Sequence, residues 1–141
     1  MKEFQCKIAS SDKIFYDGPC VSLVIPAWDG EFAFLANHQD CVAAVSYGVL
    51  RLKKPDGEVL LGATGLGFVR FEKNEALVLV DTVERPEDID EVRARRAKEA
   101  AEEELKEARS QEEYNASQAA LSRALYRLSA RGKYIHDDRI R

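Results

Sequence analysis

The sequence predicts an α+β fold, in which a β-sandwich or flattened barrel of short strands is followed by an α-helical hairpin. From Phe4 to about Thr82, apolar residues occur in short alternating or wholly apolar runs that turn residues interrupt. After Pro86 the apolar residues recur with helical spacing, and neither Gly nor Pro occurs from Glu87 to Arg131. We therefore expect two domains, residues 1–86 and residues 87–141.

Short apolar runs supply the predicted strands, and turn residues separate them. The segment from Lys54 to Glu58 contains a proline that presets φ and a glycine that tolerates a positive φ, while Asn74 marks a later reversal. Many short strands at this spacing are typical of a sandwich or barrel. The runs are FQCKI, VSLVI, EFAFL, CVAAV, GVLRL, EVLLGA, GFVRF and ALVLV.

The helical tract carries two start signals. Asp88 with Glu91, and Ser110 with Glu113, have the spacing of a capping box, in which two side chains satisfy main-chain amides at a helix start. A glycine after a periodic segment is a common helix stop. The predicted helices therefore run from about Asp88 to Arg109 and from Gln111 to Arg131, with Gly132 as the C-terminal stop.

The apolar stripes of both predicted helices contain few large side chains. Each small side chain buries little area, at roughly 25 cal/mol per Å2, so the hairpin should be marginally stable. Its bend contains neither Gly nor Pro, and straightening into one rod would cost little locally. A two-state element and a static hairpin both fit the pattern, which by itself favours the static one. The stripes are Ile89, Val92, Ala97, Ala100, Ala101, Leu105 and Ala108, and Tyr114, Leu121, Ala124, Leu125 and Leu128.

Four arginines would meet if the hairpin folded about a bend between Arg109 and Ser110. Two guanidinium groups about 7 Å apart repel by roughly 0.6 kcal/mol in water and about 2.4 kcal/mol at an effective dielectric constant of 20. An anion between them would turn this repulsion into attraction, and their planar donor forks suit phosphate oxygens. The alternative is a solvated, screened charged face. The four are Arg93, Arg96, Arg123 and Arg127.

Composition limits the function classes. The formal net charge of −4 argues against bulk nucleic-acid binding. Cys6, Cys20 and Cys41 are odd in number and lack CxxC spacing, which favours buried free thiols over disulfides or a metal site. Without an apolar run of membrane length or a signal-peptide block, we expect a cytoplasmic protein. Without a G-x-x-x-x-G-K-S/T loop, a nucleotide would be held rather than hydrolysed, so we expect no catalytic residues and no required cofactor.

Four segments, in order along the chain, carry a family resemblance. They are DGEFAFLANHQD, TGLGFVRF, LVLVDTVERPEDIDEVRA and LSRALYRLSA. Each segment is weak evidence alone. Together they make nearly all of residues 3–131 resemble the epsilon subunit of bacterial F-type ATP synthases.

The resemblance implies a ten-stranded β-sandwich on the central stalk of the rotor, in contact with the gamma subunit and the membrane c-ring. It implies a role in proton-driven ATP synthesis at the cytoplasmic face of the bacterial plasma membrane, which the chain would reach only through the complex. The two-helix domain would lie folded down, or extend between gamma and the catalytic alpha and beta subunits to inhibit ATP hydrolysis. In the extended state a basic stripe of Arg123, Arg127 and Arg131 would grip those subunits.

The resemblance also implies a regulatory ligand. In several bacterial members the motif I/L-D-x-x-R-A, a preceding Glu and two arginines on the last helix bind ATP and favour the folded-down state. The matching residues here are Glu84, Ile89, Asp90, Arg93, Ala94, Arg123 and Arg127.

The loop that would face the c-ring departs from the family pattern. The family's Gly, Pro, Gly, Ala and Pro are replaced by Ala33, Ala36, Asn37, Gln39 and Asp40. Glu31 and His38 match, and by resemblance both would lie near the polar loops of the c-ring. On pattern alone, His38 is a surface or hydrogen-bonded histidine.

An alternative function is a stand-alone adaptor. Arg123, Arg127 and Arg131 recur every four residues, so they could form one stripe that binds RNA or an acidic protein. The rotor interpretation predicts no nucleic-acid partner. Co-purification with gamma and c-ring subunits would favour the rotor, and salt-sensitive retention on nucleic acid would favour the adaptor.

Overall fold

The computed structural model describes residues 2–136, with side chains described as far as Gly132. Its contacts divide the chain into two compact units, Met1–Arg85 and Pro86–Arg141. The first unit contains ten strands and the second contains two helices, which confirms the predicted fold class.

The first unit is a sandwich of two five-stranded sheets. One sheet has the order β2-β1-β9-β8-β5 and the other β10-β7-β6-β3-β4. All neighbouring strands are antiparallel except β1 and β9, which are parallel. The strands are β1 Phe4–Ala9, β2 Ile14–Cys20, β3 Ser22–Ala27, β4 Gly30–Leu35, β5 Cys41–Val45, β6 Gly48–Lys53, β7 Val59–Thr64, β8 Gly67–Glu72, β9 Glu75–Val80 and β10 Val83–Glu84.

Large aromatic and aliphatic side chains fill the space between the sheets. Phe71 lies between two other rings, with its centroid 5.4 Å from that of Phe4 and 5.5 Å from that of Phe34. All three are at most 2% exposed. Such rings bury large areas, and the sandwich therefore has a dense core of its own.

The cysteines are free thiols, as predicted. Cys6 and Cys20 are buried in the sandwich and Cys41 is half-buried. A hydrogen bond with Cys20, together with burial, raises the pKa of the Cys6 thiol well above its usual range. Cys6 is therefore uncharged at neutral pH and serves as part of the core.

Two of the strand reversals use the predicted turn residues. Gly57 adopts a φ of +94° and donates a hydrogen bond from its amide to the Lys54 carbonyl at 2.9 Å. Lys73 and Asn74 adopt φ values of 51° and 59°, a left-handed pair that suits the twist of a tight hairpin.

The second unit is an antiparallel helical hairpin. A single 3₁₀ turn, Pro86–Asp88, precedes α1 (Glu91–Glu107) and α2 (Gln111–His136). The bend falls at residues 108–110, as predicted. It is fixed by the predicted second capping box, because Ser110 Oγ accepts a hydrogen bond from the Glu113 amide at 3.1 Å and Glu113 Oε2 accepts one from the Arg109 amide at 2.9 Å.

The predicted start of the first helix is wrong by three residues. Asp88 belongs to the 3₁₀ turn, in which the Ile89 amide bonds the Pro86 carbonyl at 3.2 Å, and so it cannot cap α1. Asp90 is the cap instead. The 3₁₀ turn after Pro86 includes residues that the sequence pattern had placed at the start of the first helix.

The prediction that Gly132 ends the second helix is also wrong, because α2 continues through it to His136. Gly132 is not among the described glycines with positive φ, so it lacks the left-handed conformation of a C-terminal stop. A glycine inside a helix costs about 1 kcal/mol relative to alanine, a penalty that a long helix tolerates.

The two helices meet along a seam whose most buried positions hold small side chains and whose spacing differs from that of the predicted stripes. The seam positions alternate in steps of four and three residues, the spacing that keeps one helix face against a partner. Val92 lies off this face and is 59% exposed, and Tyr114 and Leu125 are also exposed. The seam consists of Ala94, Lys98, Ala101 and Leu105 on α1, Ala108 at its C-cap, and Ser117, Leu121, Ala124, Leu128 and Arg131 on α2.

The capping box at the bend generates a stability prediction. Ser110→Ala should remove one cap bond and destabilise the start of α2 by about 1 kcal/mol. Hydrogen exchange of the amides from Glu112 to Tyr114 should speed up about fivefold. Ser129→Ala, an exposed change inside the same helix, is the matched control, and equal exchange in both variants would contradict the capping role.

Candidate functional site

The start of α1 is organised by Asp90. Its main chain is extended, with φ −78° and ψ 105°, and its Oδ1 accepts a hydrogen bond from the Arg93 amide at 3.1 Å. Its carbonyl accepts one from the Ala94 amide at 2.9 Å, which begins the helical ladder. The aspartate of the I-D-x-x-R-A motif is therefore an N-cap, a structural role that the sequence analysis missed.

The other motif residues flank this cap. Ile89 and Ala94 are 1% and 0% exposed, so packing fixes both. Arg93 is exposed. The Arg93 side chain therefore extends from a turn whose main chain is fixed by the Asp90 cap and by the packing of its neighbours.

The three arginines of the predicted basic stripe have different environments. Arg123 is exposed, Arg127 is half-buried, and Arg131 is half-buried at a seam position. Each four-residue step rotates the side-chain direction by about 40°, because an α-helix turns about 100° per residue. From Arg123 to Arg131, two such steps shift the side-chain direction from the solvent-facing side of α2 to the side that faces α1.

Arg131 joins α2 to the segment that precedes α1. Its Nη1 donates hydrogen bonds to the carbonyl of Glu87 at 3.2 Å and to that of Ile89 at 2.5 Å. Its Nε lies 3.7 Å from Oε2 of Glu91. This contact was not predicted from the sequence, although the seven-residue spacing from Ala124 marks Arg131 as a seam position.

The contact of Arg131 sets the relative height of the remaining arginines. Since Arg131 lies beside Ile89 and an α-helix rises about 1.5 Å per residue, Arg127 lies at about the height of Arg93 on the antiparallel partner. Arg123 lies about 6 Å further along the axis. Arg93 and Arg127 therefore lie at one level of the hairpin on different helices, and their planar donor forks are of the type that suits phosphate oxygens.

Glu84 belongs to the other compact unit. It ends the short strand β10, where it pairs with Ala63 of β7, and it is half-buried. The other six residues of the predicted ATP site lie in the helical unit.

Glu31 is the second residue of β4, and His38 lies three residues after the strand ends. Glu31 forms an ion pair with Arg51 of β6 on the outer face of the sheet. His38 is half-buried, with its ring centroid 4.8 Å from that of Phe34 and 5.5 Å from that of Phe71. Its Nδ1 lies 2.8 Å from the Gln39 carbonyl, so this nitrogen carries the proton and donates it. The prediction of a hydrogen-bonded histidine is confirmed.

The substituted loop keeps a backbone feature of glycine. Asn37 stands where the family has a glycine, and it adopts a φ of 65°, a conformation that asparagine tolerates better than most residues. Its amide donates a hydrogen bond to Oδ1 of Asn74 at 2.6 Å.

The described part of the chain offers neither a metal-binding cluster nor a membrane-spanning helix. Within residues 2–136, no group of three His, Cys, Asp or Glu side chains could hold a metal ion. Neither α1 nor α2, as described, has the length and apolar character that would let it cross a bilayer.

Two family models together cover almost the whole chain. The model for the ATP synthase delta/epsilon chain β-sandwich domain matches residues 3–86. The model for the ATP synthase delta/epsilon chain long α-helix domain matches residues 87–132.

Curated relatives are similar over nearly their full length. The ATP synthase epsilon chain of Caldicellulosiruptor bescii is 39% identical over 128 residues, which cover 91% of this chain and 93% of the relative. The ATP synthase epsilon chain of Ruminiclostridium cellulolyticum is 38% identical over 130 residues, which cover 92% and 96%.

Solved structures share the fold at low identity. A chain in the cryo-EM structure of the Euglena gracilis mitochondrial ATP synthase, with OSCP, F1 and c-ring in rotational state 1, has a TM-score of 0.73 at 17% identity and covers 89% of this chain and 78% of its own. A chain in the central stalk and c-ring structure of the Tetrahymena thermophila mitochondrial ATP synthase has a TM-score of 0.67 at 12% identity, with coverage of 90% and 95%. The matches confirm the resemblance drawn from the motifs, and the chain belongs to the ATP synthase delta/epsilon chain family as an epsilon-type, non-catalytic subunit.

Proposed function

We propose that this chain is a rotor subunit of the central stalk, whose sandwich joins the gamma subunit to the c-ring and whose helical hairpin regulates ATP hydrolysis. In the folded hairpin, ATP is held as a regulatory ligand. In the extended hairpin, the basic residues of α2 contact the alpha and beta subunits. The subunit is peripheral to the membrane, at the cytoplasmic face, and reaches it through the c-ring.

One observation carries the proposal. The I-D-x-x-R-A segment forms the start of α1, and Arg127 of the antiparallel partner lies at about the height of its arginine. In a chain of this family, that arrangement supports a nucleotide phosphate between Arg93, Arg123 and Arg127. Ile89, Asp90 and Ala94 then border the base or ribose.

The adaptor alternative explains less of the molecule. It uses only the basic residues of α2 and gives no role to the capped motif of α1 or to the sandwich. Membership of the epsilon-chain family favours the rotor.

The nucleotide proposal predicts a loss of ATP affinity in Arg127→Ala. A charge-assisted hydrogen bond contributes roughly 1.5 to 3 kcal/mol, and because Arg127 is only half-buried we expect the lower end, about a tenfold weakening. Calorimetric titration and thermal melting at fixed ionic strength should show that ATP raises the melting temperature of the native chain. Arg95→Ala is the matched control, because Arg95 pairs with Glu91 on the same helix and lies outside the proposed site.

Absence of any response to millimolar ATP in the native chain would contradict nucleotide sensing. Equal weakening in Arg127→Ala and Arg95→Ala would show a general charge effect instead, which salt would screen.

The proposed inhibitory grip predicts a collective effect of charge. Exposed ion pairs contribute only about 0.2 to 1 kcal/mol each, so replacing Arg123, Arg127 and Arg131 together by alanine should raise ATP hydrolysis by the complex more than Arg123→Ala does. The charge-matched control replaces Arg85, Arg95 and Arg109. Hydrolysis that stays at the native level in the first triple variant would exclude charge as the grip.

The two-unit organisation predicts a division of labour. Deleting residues 88–141 should leave a folded sandwich that still joins gamma to the c-ring, because its core of large side chains lies within the first unit. Proton-coupled ATP synthesis should persist, and hydrolysis should rise or stay level. Loss of coupling because the truncated chain no longer binds gamma would contradict the proposal.

A further inference from the structure

We propose that Arg131 is a clamp that holds the helical hairpin folded, and that release of its bonds to Glu87, Ile89 and Glu91 is required for the hairpin to open. The inference rests on the proposed function only where it links opening to inhibition. The clamp itself is a property of the isolated chain.

The helix cap leaves a carbonyl for the clamp to bind. In an uninterrupted helix the Arg93 amide would bond the Ile89 carbonyl, four residues earlier. Here that amide bonds the Asp90 side chain, and the Ile89 carbonyl accepts from Arg131 instead. The Glu87 carbonyl, which lies before the helix, accepts a second bond from the same Nη1.

The chemistry of this contact is specific to arginine. The planar guanidinium presents several donors in a fixed fork, so it can bond two carbonyls and approach a carboxylate at once. A helix start repels cations, because its amides carry partial positive charge. The Glu91 carboxylate, 3.7 Å from Nε, offsets this repulsion. The contact therefore depends on the detailed position of Arg131 and not on positive charge alone.

Apolar burial at this end of the hairpin comes from Ile89 and Ala130, and along the seam mainly from small side chains. The most buried seam residues are Ala94 and Ala101 on α1 and Ser117 and Ala124 on α2, and small side chains contribute little by burial. The capping box at the bend joins residues close in sequence. The clamp instead joins residues 42 and 44 positions apart.

The clamp also fastens the proposed nucleotide site. It bonds the main chain of Ile89, and Asp90 and Arg93 follow immediately in the same segment. ATP binding and the clamp therefore favour the same folded state. Arg131 then differs in role from Arg123, because it must leave its bonds in α1 before it can contact another subunit.

The test compares two substitutions, each of which removes one positive charge and one ion-pair partner of Glu91. Arg131→Gln removes the clamp, whereas Arg95→Gln removes only the ion pair at 2.9 Å within α1. Hydrogen exchange of the α1 amides in the full isolated chain, without ATP, should be about tenfold faster in Arg131→Gln than in Arg95→Gln. Arg131→Lys keeps the charge without the fork and should exchange nearly as fast as Arg131→Gln.

Equal exchange in Arg131→Gln and Arg95→Gln would overturn the clamp, and so would native-like exchange in Arg131→Lys. Circular dichroism and exchange of the strand amides serve to confirm that the sandwich is folded in every variant. Protection in α1 can then be assigned to the hairpin alone.

The rate of ATP hydrolysis by the complex tests the proposed function independently of the clamp. Losing the charge of one grip residue should change inhibition only a few-fold, so loss of the clamp should dominate. Complexes that carry Arg131→Gln should therefore hydrolyse ATP more slowly than complexes that carry Arg95→Gln. This change in rate is opposite in sign to the one expected for the triple arginine variant. Faster exchange with unchanged hydrolysis would support the clamp and contradict the inhibitory role of the extended hairpin.

Discussion

The helical hairpin is closed by a seam whose most buried positions hold small side chains, and its behaviour depends on the polar contacts at its two ends. At the bend, Ser110 and Glu113 satisfy the amides where the chain reverses. At the open end, Arg131 bonds two carbonyls that precede α1. Because the most buried seam positions hold small side chains, these contacts contribute to how readily the helices separate.

The sandwich has the opposite character. Its core contains stacked phenylalanine rings and fully buried leucine and isoleucine side chains from both sheets. A dense core of this kind opens only with global unfolding, whereas elements with few buried apolar contacts open at lower free energy. The division suits a rotor subunit that must transmit torque through one rigid unit and regulate through another.

Sequence patterns predicted the sandwich well wherever strands are apolar. The two strands that the apolar runs omit are β2 and β10. The first contains the turn-like residues Asp17, Gly18 and Pro19, which are tolerated because β2 is an edge strand. The second has only two residues, too few to show a period. The ten-stranded fold came from the family resemblance.

The helical boundaries show where local signals compete. Asp88 has the spacing of a cap, but the 3₁₀ turn after Pro86 passes the role to Asp90. Gly132 has the identity of a stop, but its backbone stays helical. To predict the Arg131 contact, the heptad spacing of α2 would have to be combined with its antiparallel pairing to α1. The acceptors are main-chain carbonyls, which have no signature in the sequence. Side-chain patterns thus predicted the elements, whereas main-chain bonding fixed their ends.

The central claim is that the hairpin has two states, and a distance between its helices tests it most directly. Probes at the exposed positions Ala97 and Ser129 should lie within roughly 15 Å of each other in the folded hairpin, and about 48 Å apart if residues 97–129 form one straight helix. Single-molecule energy transfer should show the short distance in the isolated chain with ATP, and a long-distance population in complexes depleted of ATP. A short distance under every condition, in the isolated chain and in the complex, would contradict the account.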